Sequence, residues 1–304
     1  MLLTEAIARF GLGLGQAPLS IAHPTIEYLF KPEQSVRPFH NHLHINQFSM
    51  RSPEFSRRKS DVNEYRVLVF GDSVISGGNQ LDDSELATEI LRRRLVTTMA
   101  QPVVVGNISA GSWGSPNMLA YAREFGLFDA DLVLIVLSSH DSCDVPTFGP
   151  LDPNTHPTHA PMSALFEAVT RYLPRYLPSF GTGTDQPLSV PACDGVDLQT
   201  SLDALSAALR LFKTQTPHVL LILHSTQSEL SKRANQTGNH LLAELAHREK
   251  VPVFQLGARF SSAIAAGDNP YRDDIHLSAT GQRLLADVMY EQVDQIAAPT
   301  NENR

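Results

Sequence analysis

Five short apolar runs, each followed by a longer segment of helical period, constrain this chain most. RVLVF (66–70), PVVVGNIS (102–109), DLVLIVLSS (131–139), HVLLILHS (218–225) and PVFQL (252–256) are β-branched, nearly continuous in hydrophobicity and too short for helices. They read as buried parallel strands. A 3.6-residue period predicts helices over Ser84–Met99, Pro116–Phe128, Leu198–Leu211, Glu229–Arg248 and Ala279–Ile296. Asp82, three residues before Glu85, has the spacing of a capping box, and Ser278 suits the N-cap of the last helix.

Five βα units in series predict a doubly wound, flavodoxin-like α/β fold: three α/β/α layers around a five-stranded parallel sheet. Ligands in such folds bind beyond the carboxyl ends of the strands, so chemistry is expected just after residues 70, 108, 139 and 256. The chain has 304 residues, 42% of them hydrophobic, enough for one large core. The expected organisation is an N-terminal extension over 1–60 packing on a main domain over 61–304. Nine of the twenty prolines lie between Pro146 and Pro191, inside a break in the alternation at about 142–196. That insertion reads as a lid, with a helical piece near Ala164–Tyr172. A net charge of -8 without a Lys/Arg run argues against a nucleic-acid partner.

No stretch offers the ~20 apolar residues of a membrane span. The start, MLLTEAIARF, is expected to form a short amphipathic helix over Leu2–Phe10 and lacks a basic n-region and cleavage site. The expectation is a cytoplasmic protein, or an extracytoplasmic one if the start is a truncated anchor. His40, His42 and His44 recur with period two. They would share one strand face, read as exposed rather than as a metal site because no acidic residue or Cys sits nearby in sequence.

Directly after the first strand comes Gly71-Asp72-Ser73-Val74-Ile75-Ser76-Gly77-Gly78. Its spacing does not fit a dinucleotide fingerprint, and it lacks the Lys of a P-loop. The remaining reading is a nucleophile turn, with the Ser73 hydroxyl over the cleft. Some two hundred residues later, in Tyr271-Arg272-Asp273-Asp274-Ile275-His276, a carboxylate precedes a histidine by three residues, just before the last helix. In a turn, that spacing lets Asp273 accept from one ring nitrogen of His276 and leaves the other for the serine proton. Asp274 is the alternative orienter.

Together these residues resemble the GDSL family, also called SGNH hydrolases. Gly71-Asp72-Ser73 resembles its first block and Asp273-x-x-His276 its last. Asn107-Ile108-Ser109-Ala110-Gly111 resembles the second, with Gly114 a rival glycine. The third block departs: Ser138-Ser139-His140-Asp141 puts His140 where the family usually has an oxyanion-binding Asn. The resemblance implies a serine esterase with a triad of Ser73, Asp273 and His276. The implied oxyanion hole is the Ser73 N–H, the Gly111 N–H and the His140 side chain. Residues 46–54 (Asn46, Arg51 and Glu54 above all), with Glu5 and Arg9, are similar to a subgroup acting on polysaccharide O-acetyl groups.

The implied reaction is acyl transfer through an acyl-serine, with no metal or organic cofactor required. An acetyl ester on a carbohydrate is the expected substrate. An O-acetyltransferase using the same triad is one alternative, and a non-catalytic saccharide-binding module another. Trp113, Asp72 and Asn107 are expected to help form the substrate pocket, and Phe148, Tyr172, Tyr176 and Phe180 to stack on sugar. If the protein is extracytoplasmic, a Cys143–Cys193 bridge would close a loop of about fifty residues, worth roughly 4 kcal/mol; in a cytoplasm both would be free thiols.

Overall fold

The computed structural model describes residues 2–173, 194–232 and 237–297. The N-terminal part contains a short helix, α1 (Leu2–Ala6), which continues as a π-turn, and two antiparallel hairpins. β1 (Ser20–His23) pairs with β2 (Glu27–Phe30), and β3 (Gln34–Val36) with β4 (Leu43–Ile45). There follow β5 (Tyr65–Gly71), α2 (Ser73–Ser76), α3 (Ala87–Thr98), β6 (Val103–Ser109), α4 (Ser115–Phe125) and β7 (Leu132–Ser138). Next come α5 (Ala164–Glu167), α6 (Gly195–Gln215), β8 (His218–His224), α7 (Gln227–Lys232) and α8 (Thr237–Arg248). β9 (Val253–Gln255), α9 (Gly257–Ala265) and α10 (Ala279–Ala297) complete the described chain.

The five predicted strands form one parallel sheet in the order β6-β5-β7-β8-β9. Its strands are apolar on both faces because both are covered: all seven residues of β7 are buried. With period two, Leu68 and Phe70 point into a core shared with Leu119 of α4, Leu209 of α6 and Leu242 of α8. Val67 and Val69 point into the other, with Leu91 of α3, Phe260 of α9 and Met289 of α10. The chain leaves β5 for the edge strand β6 and returns to β7, so the order reverses between β5 and β7. In this architecture that reversal opens a crevice at the strand ends.

Several local expectations are corrected. Of the predicted helix over 229–248, the structure describes α7 and α8, and residues 233–236 lie outside the described residues. α9 had no prediction, and the strand before it shortens to three residues. The Asp82–Glu85 capping box forms, with Glu85 accepting the Asp82 N–H at 3.0 Å, but it caps a 3₁₀ turn ahead of α3. Ser278 accepts the Gly281 N–H at 3.2 Å, an N-cap on α10. The three histidines do not share a strand face. His40 sits in a left-handed turn (φ 68°) ahead of β4, while His42 and His44 stack at 6.5 Å. Acidic partners do reach those two: His42 lies 3.0 Å from Asp83 and His44 3.3 Å from Glu54. Among the described residues no helix is long and apolar enough to cross a membrane, and no cysteine is free. Cys193 lies outside them.

Residues 46–54 turn out to be a structural clasp. Asn46 Oδ1 accepts the N–H groups of Phe48 and Met50, folding a turn that delivers Arg51 into the protein. The Arg51 guanidinium, 1% exposed, donates to Asp83 at 2.7 Å and to the carbonyls of Ser76, Gly78 and Leu81. It thereby ties the N-terminal segment to the loop after the nucleophile turn. Removing one partner from a buried, fully bonded ion pair costs about 3–5 kcal/mol. Arg51→Ala is therefore expected to lower the free energy of unfolding by that amount, read as a lower urea midpoint at an unchanged m-value; a loss below about 1 kcal/mol would show that the clasp is not a stabilising element.

Candidate active site

At the end of β5 the backbone turns sharply into α2. Asp72 caps that helix, its Oδ1 accepting the Val74 N–H at 2.8 Å. Ser73 is thus the first helical residue, its hydroxyl facing a cavity of about 660 Å³. His276 comes from the loop between α9 and α10. His276 Nε2 lies 3.0 Å from Ser73 Oγ, and Nδ1 lies 2.8 and 3.0 Å from the Asp273 carboxylate oxygens. Asp273 also accepts the N–H groups of Ile275 and His276. Burial opposes its charge, but those N–H groups and the His276 ring hold it below the usual carboxylate range. Asp274 does not compete. It accepts from the Ser228 N–H and hydroxyl at 2.8 and 2.6 Å, fastening α7.

Deep partners hold the histidine loop. A short bridge pairs Tyr271 with Leu277, and the Tyr271 hydroxyl donates to the Ser225 carbonyl. His224, fully buried at the end of β8, lies 2.9 Å by Nε2 from the Ile275 carbonyl. Burial pushes its pKa down to about 4, so the ring is neutral and Nε2–H donates.

The Ser73 and Gly111 N–H groups have no acceptor among the described residues, and both residues line the cavity. Gly114 is excluded as the alternative donor: its N–H is taken by Asn117 Oδ1 at 3.0 Å. A Cβ there would collide with the Asp144 carbonyl, so only glycine fits.

The structure corrects three expected pocket residues. Trp113 is 2% exposed, packs on Tyr28 and Tyr121, and lies outside the cavity lining. Asn107 is buried beneath α2, donating to the Ile75 carbonyl at 3.0 Å and to Thr88. Asp72 is buried below Ser73, with Oδ2 3.2 Å from His140 Nε2. His140 lines the cavity, but its Nε2 faces Asp72 and its Nδ1 is enclosed without a partner among the described residues, so neither ring nitrogen is turned to the cavity. Of the expected sugar-stacking residues, Tyr172 lines the cavity and Phe148 does not; Tyr176 and Phe180 lie outside the described residues. The proline-rich insertion also lends Asp144, Thr155, His156 and Arg171 to the lining.

Residues with no sequence signal at all come from the N-terminal hairpin: Tyr28 and Phe30 line the cavity, and the Tyr28 hydroxyl donates to the Gly111 carbonyl, 83 residues away. Asp72, His140 and Asp141 form the described cluster close enough to ligate a metal. Burial opposes charge on His140, but Asp141, Asp72 and Asp144 outweigh it and push its pKa up to about 10. Protonated, the imidazole is the ion-pair partner of Asp72.

With a serine, a histidine and a carboxylate in line at the strand ends, the comparison with known proteins becomes specific. The GDSL-like Lipase/Acylhydrolase family matches residues 69–284. The chain belongs to that family. It is an SGNH-type hydrolase, and the binding-module reading gives way. Among solved structures, it is similar to a two-domain esterase (CEX) active on acetylated mannans, at 15% identity and a TM-score of 0.50, covering 79% of this chain and 52% of that one. It is also similar to the acetyl xylan esterase AlAXEase (16%, 0.49; 75% and 99% covered) and to the lipase/acylhydrolase from Enterococcus faecalis (15%, 0.49; 78% and 99%). No curated protein matches the sequence.

The His140 pair sets a pH dependence in the hydrolase. Because folding raises the pKa of His140 from 6.5 to about 10, its proton stabilises the folded state fully below pH 6.5 and not at all above about pH 10. The thermal midpoint should therefore fall between pH 7 and pH 10 more steeply than that of His140→Asn, which has no proton to lose. Equal slopes in calorimetry would mean that the buried cluster does not hold that charge.

Proposed function

We propose that the chain is a serine esterase that removes a short acyl group, acetyl above all, from a carbohydrate or polysaccharide through an acyl-serine intermediate. The observation that carries the reading is the continuous Ser73–His276–Asp273 line at the cavity floor, 3.0 Å and 2.8 Å between reacting nitrogens and oxygens. His276 Nε2 takes the Ser73 proton as Oγ attacks the ester carbonyl, while Asp273 accepts from Nδ1–H and steadies the imidazolium. The tetrahedral oxyanion is held by the Ser73 and Gly111 N–H groups. The alcohol leaves with the His276 proton; His276 then takes a proton from the water that attacks the acyl-serine and passes it to Ser73 Oγ as the acid is released.

His140 acts in this scheme by charge rather than by direct donation. An imidazolium paired to Asp72 beneath the nucleophile locks the turn that carries Ser73. Tyr28, Phe30 and Tyr172 give the cavity aromatic faces suited to sugar rings. The activity stated for the mannan-active esterase that shares the fold is in line with a saccharide ester.

Ser73→Ala is expected to reduce aryl acetate and acetyl-saccharide hydrolysis on the order of 10⁴–10⁶-fold. A serine-directed fluorophosphonate should label Ser73 in the wild type, and absence of both labelling and ester turnover would sink the reading. Tyr28→Phe removes one hydrogen bond from the Gly111 loop. It is expected to lower kcat roughly 3–10-fold with KM nearly unchanged. A change confined to KM would instead assign Tyr28 to substrate contact alone.

A further inference from the structure

The cavity holds more uncommitted positive charge than a neutral sugar ester requires. Arg272 precedes the triad carboxylate and lines the same cavity as Ser73 and His276. Its backbone N–H donates to the His276 carbonyl, but its guanidinium donates no hydrogen bond among the described residues. The nearest carboxylate, Asp273, lies 3.8 Å from Nε, and the side chain is only 30% exposed. Gly78 (φ 64°) lies alongside: a Cβ there would sit 4.0 Å from Arg272 Nη2 and 3.3 Å from Gln80 Oε1. Arg171, on the insertion, lines the cavity as well. Its side chain is 10% exposed, it pairs with the buried Glu167 and reaches the Thr155 carbonyl at 3.4 Å, and its Nε is buried without a partner among the described residues.

The carboxylates lining the same cavity are already engaged. Asp274 accepts from Ser228, Glu229 accepts the Thr226 N–H at 2.7 Å, and Asp144 faces the His140 ring at 3.5 Å. Arg272 is therefore the cation left to meet a ligand, with Arg171 beside the cavity held by the buried Glu167 and keeping further N–H groups to offer. A guanidinium presents parallel N–H donors that match a carboxylate in two bonds, and it does so most strongly when partly desolvated. In a chain of net charge -8, cations retained in the cleft mark a local preference that the overall surface does not share.

We propose that Arg272, with Arg171 on the insertion, reads a carboxylate on the substrate, so that the preferred ester is anionic. The carboxylate belongs either to an acidic sugar on the alcohol side or to a dicarboxylic acyl group. The proposal rests on the esterase reading above and adds its substrate class.

Two matched pairs test it at low ionic strength: an O-acetylated methyl glucuronide against the corresponding glucoside, and an aryl hemisuccinate against the aryl butyrate. The wild type is expected to favour the acid member of one pair by about tenfold or more in kcat/KM, and the pair that responds names the source of the carboxylate. Arg272→Gln should bring that ratio close to one, chiefly through KM, and Arg272→Lys should restore part of it. A wild-type ratio at or below one in both pairs overturns the proposal, as does a ratio that Arg272→Gln leaves unchanged. Aryl acetate hydrolysis and its loss in Ser73→Ala check the esterase reading separately. If no ester is turned over, that reading fails, and calorimetry with glucuronate and with succinate decides the anion site: binding of either by wild type and not by Arg272→Gln supports it, and binding of neither overturns it.

Discussion

The catalytic end of the sheet depends on one buried ion pair, Asp72 with His140. β5 and β7 are neighbours in the sheet, and the crevice between them forms where the chain reverses direction. Asp72 leaves β5 and His140 leaves β7, so their contact at 3.2 Å joins the two lips of that crevice. The same carboxylate caps α2 through the Val74 N–H, and burial, which alone would neutralise it, is outweighed by His140. A turn with a fully buried charge at its base has little freedom to move, because separating the pair leaves an unpaired ion in a low-dielectric interior. The nucleophile therefore inherits its position from electrostatics below it rather than from the loop above. Asp141, whose pKa burial drives upward against the pull of His140, accepts the Ser138 N–H and lies 3.8 Å from the His140 ring, completing the cluster.

Around this fixed base, the cleft is assembled from distant segments. The first sixty residues lie outside the family match, yet they supply the Arg51 clasp on the loop after Ser73 and the Tyr28 bond on the Gly111 loop. Glu5, in α1, accepts the N–H groups of Ala164 and Leu165 and so fastens the insertion that forms another part of the wall. An N-terminal extension and an insertion thus shape one cavity, while the doubly wound core holds the nucleophile and the histidine. This division accounts for how one fold serves many esters: the triad is placed by strand ends, and the substrate is met by whatever segments are laid over them.

The parts legible in the sequence were those governed by local patterns. Apolar runs such as LVLIVLSS can only be buried strands, and five of them fixed the sheet. Gly-Asp-Ser and Asp-x-x-His could be read because a strand-end turn and a three-residue loop spacing are short-range geometry. The roles of His140 and Trp113 were misplaced for a common reason: the sequence puts both residues beside the site but does not say which way a ring turns. His140 turns its Nε2 toward Asp72, and Trp113 turns inward, donating to the Tyr28 carbonyl at 3.3 Å. Tyr28 could not have been found, since its partner lies 83 residues on and nothing in EYLF marks the contact. The histidine triplet misled in the same way: Asp83 and Glu54 reach it only through the folded chain.

Charge is distributed with a purpose that composition alone hides. The chain is acidic overall, but its acidic groups near the cleft serve as fasteners: Asp273 on the histidine, Asp274 on α7, Glu229 on Thr226 and Asp72 on His140. Each accepts from a backbone N–H, and Asp72 and Asp273 pair with an imidazole as well, so the field they project into the cavity is much reduced. Arg272 is not balanced in this way: its nearest carboxylate is 3.8 Å away. Holding a guanidinium partly desolvated without a strong partner costs stability, and such a cost persists at a site when the missing partner arrives with the ligand. The imbalance belongs to the cleft and not to the surface as a whole, which ties it to substrate recognition rather than to folding.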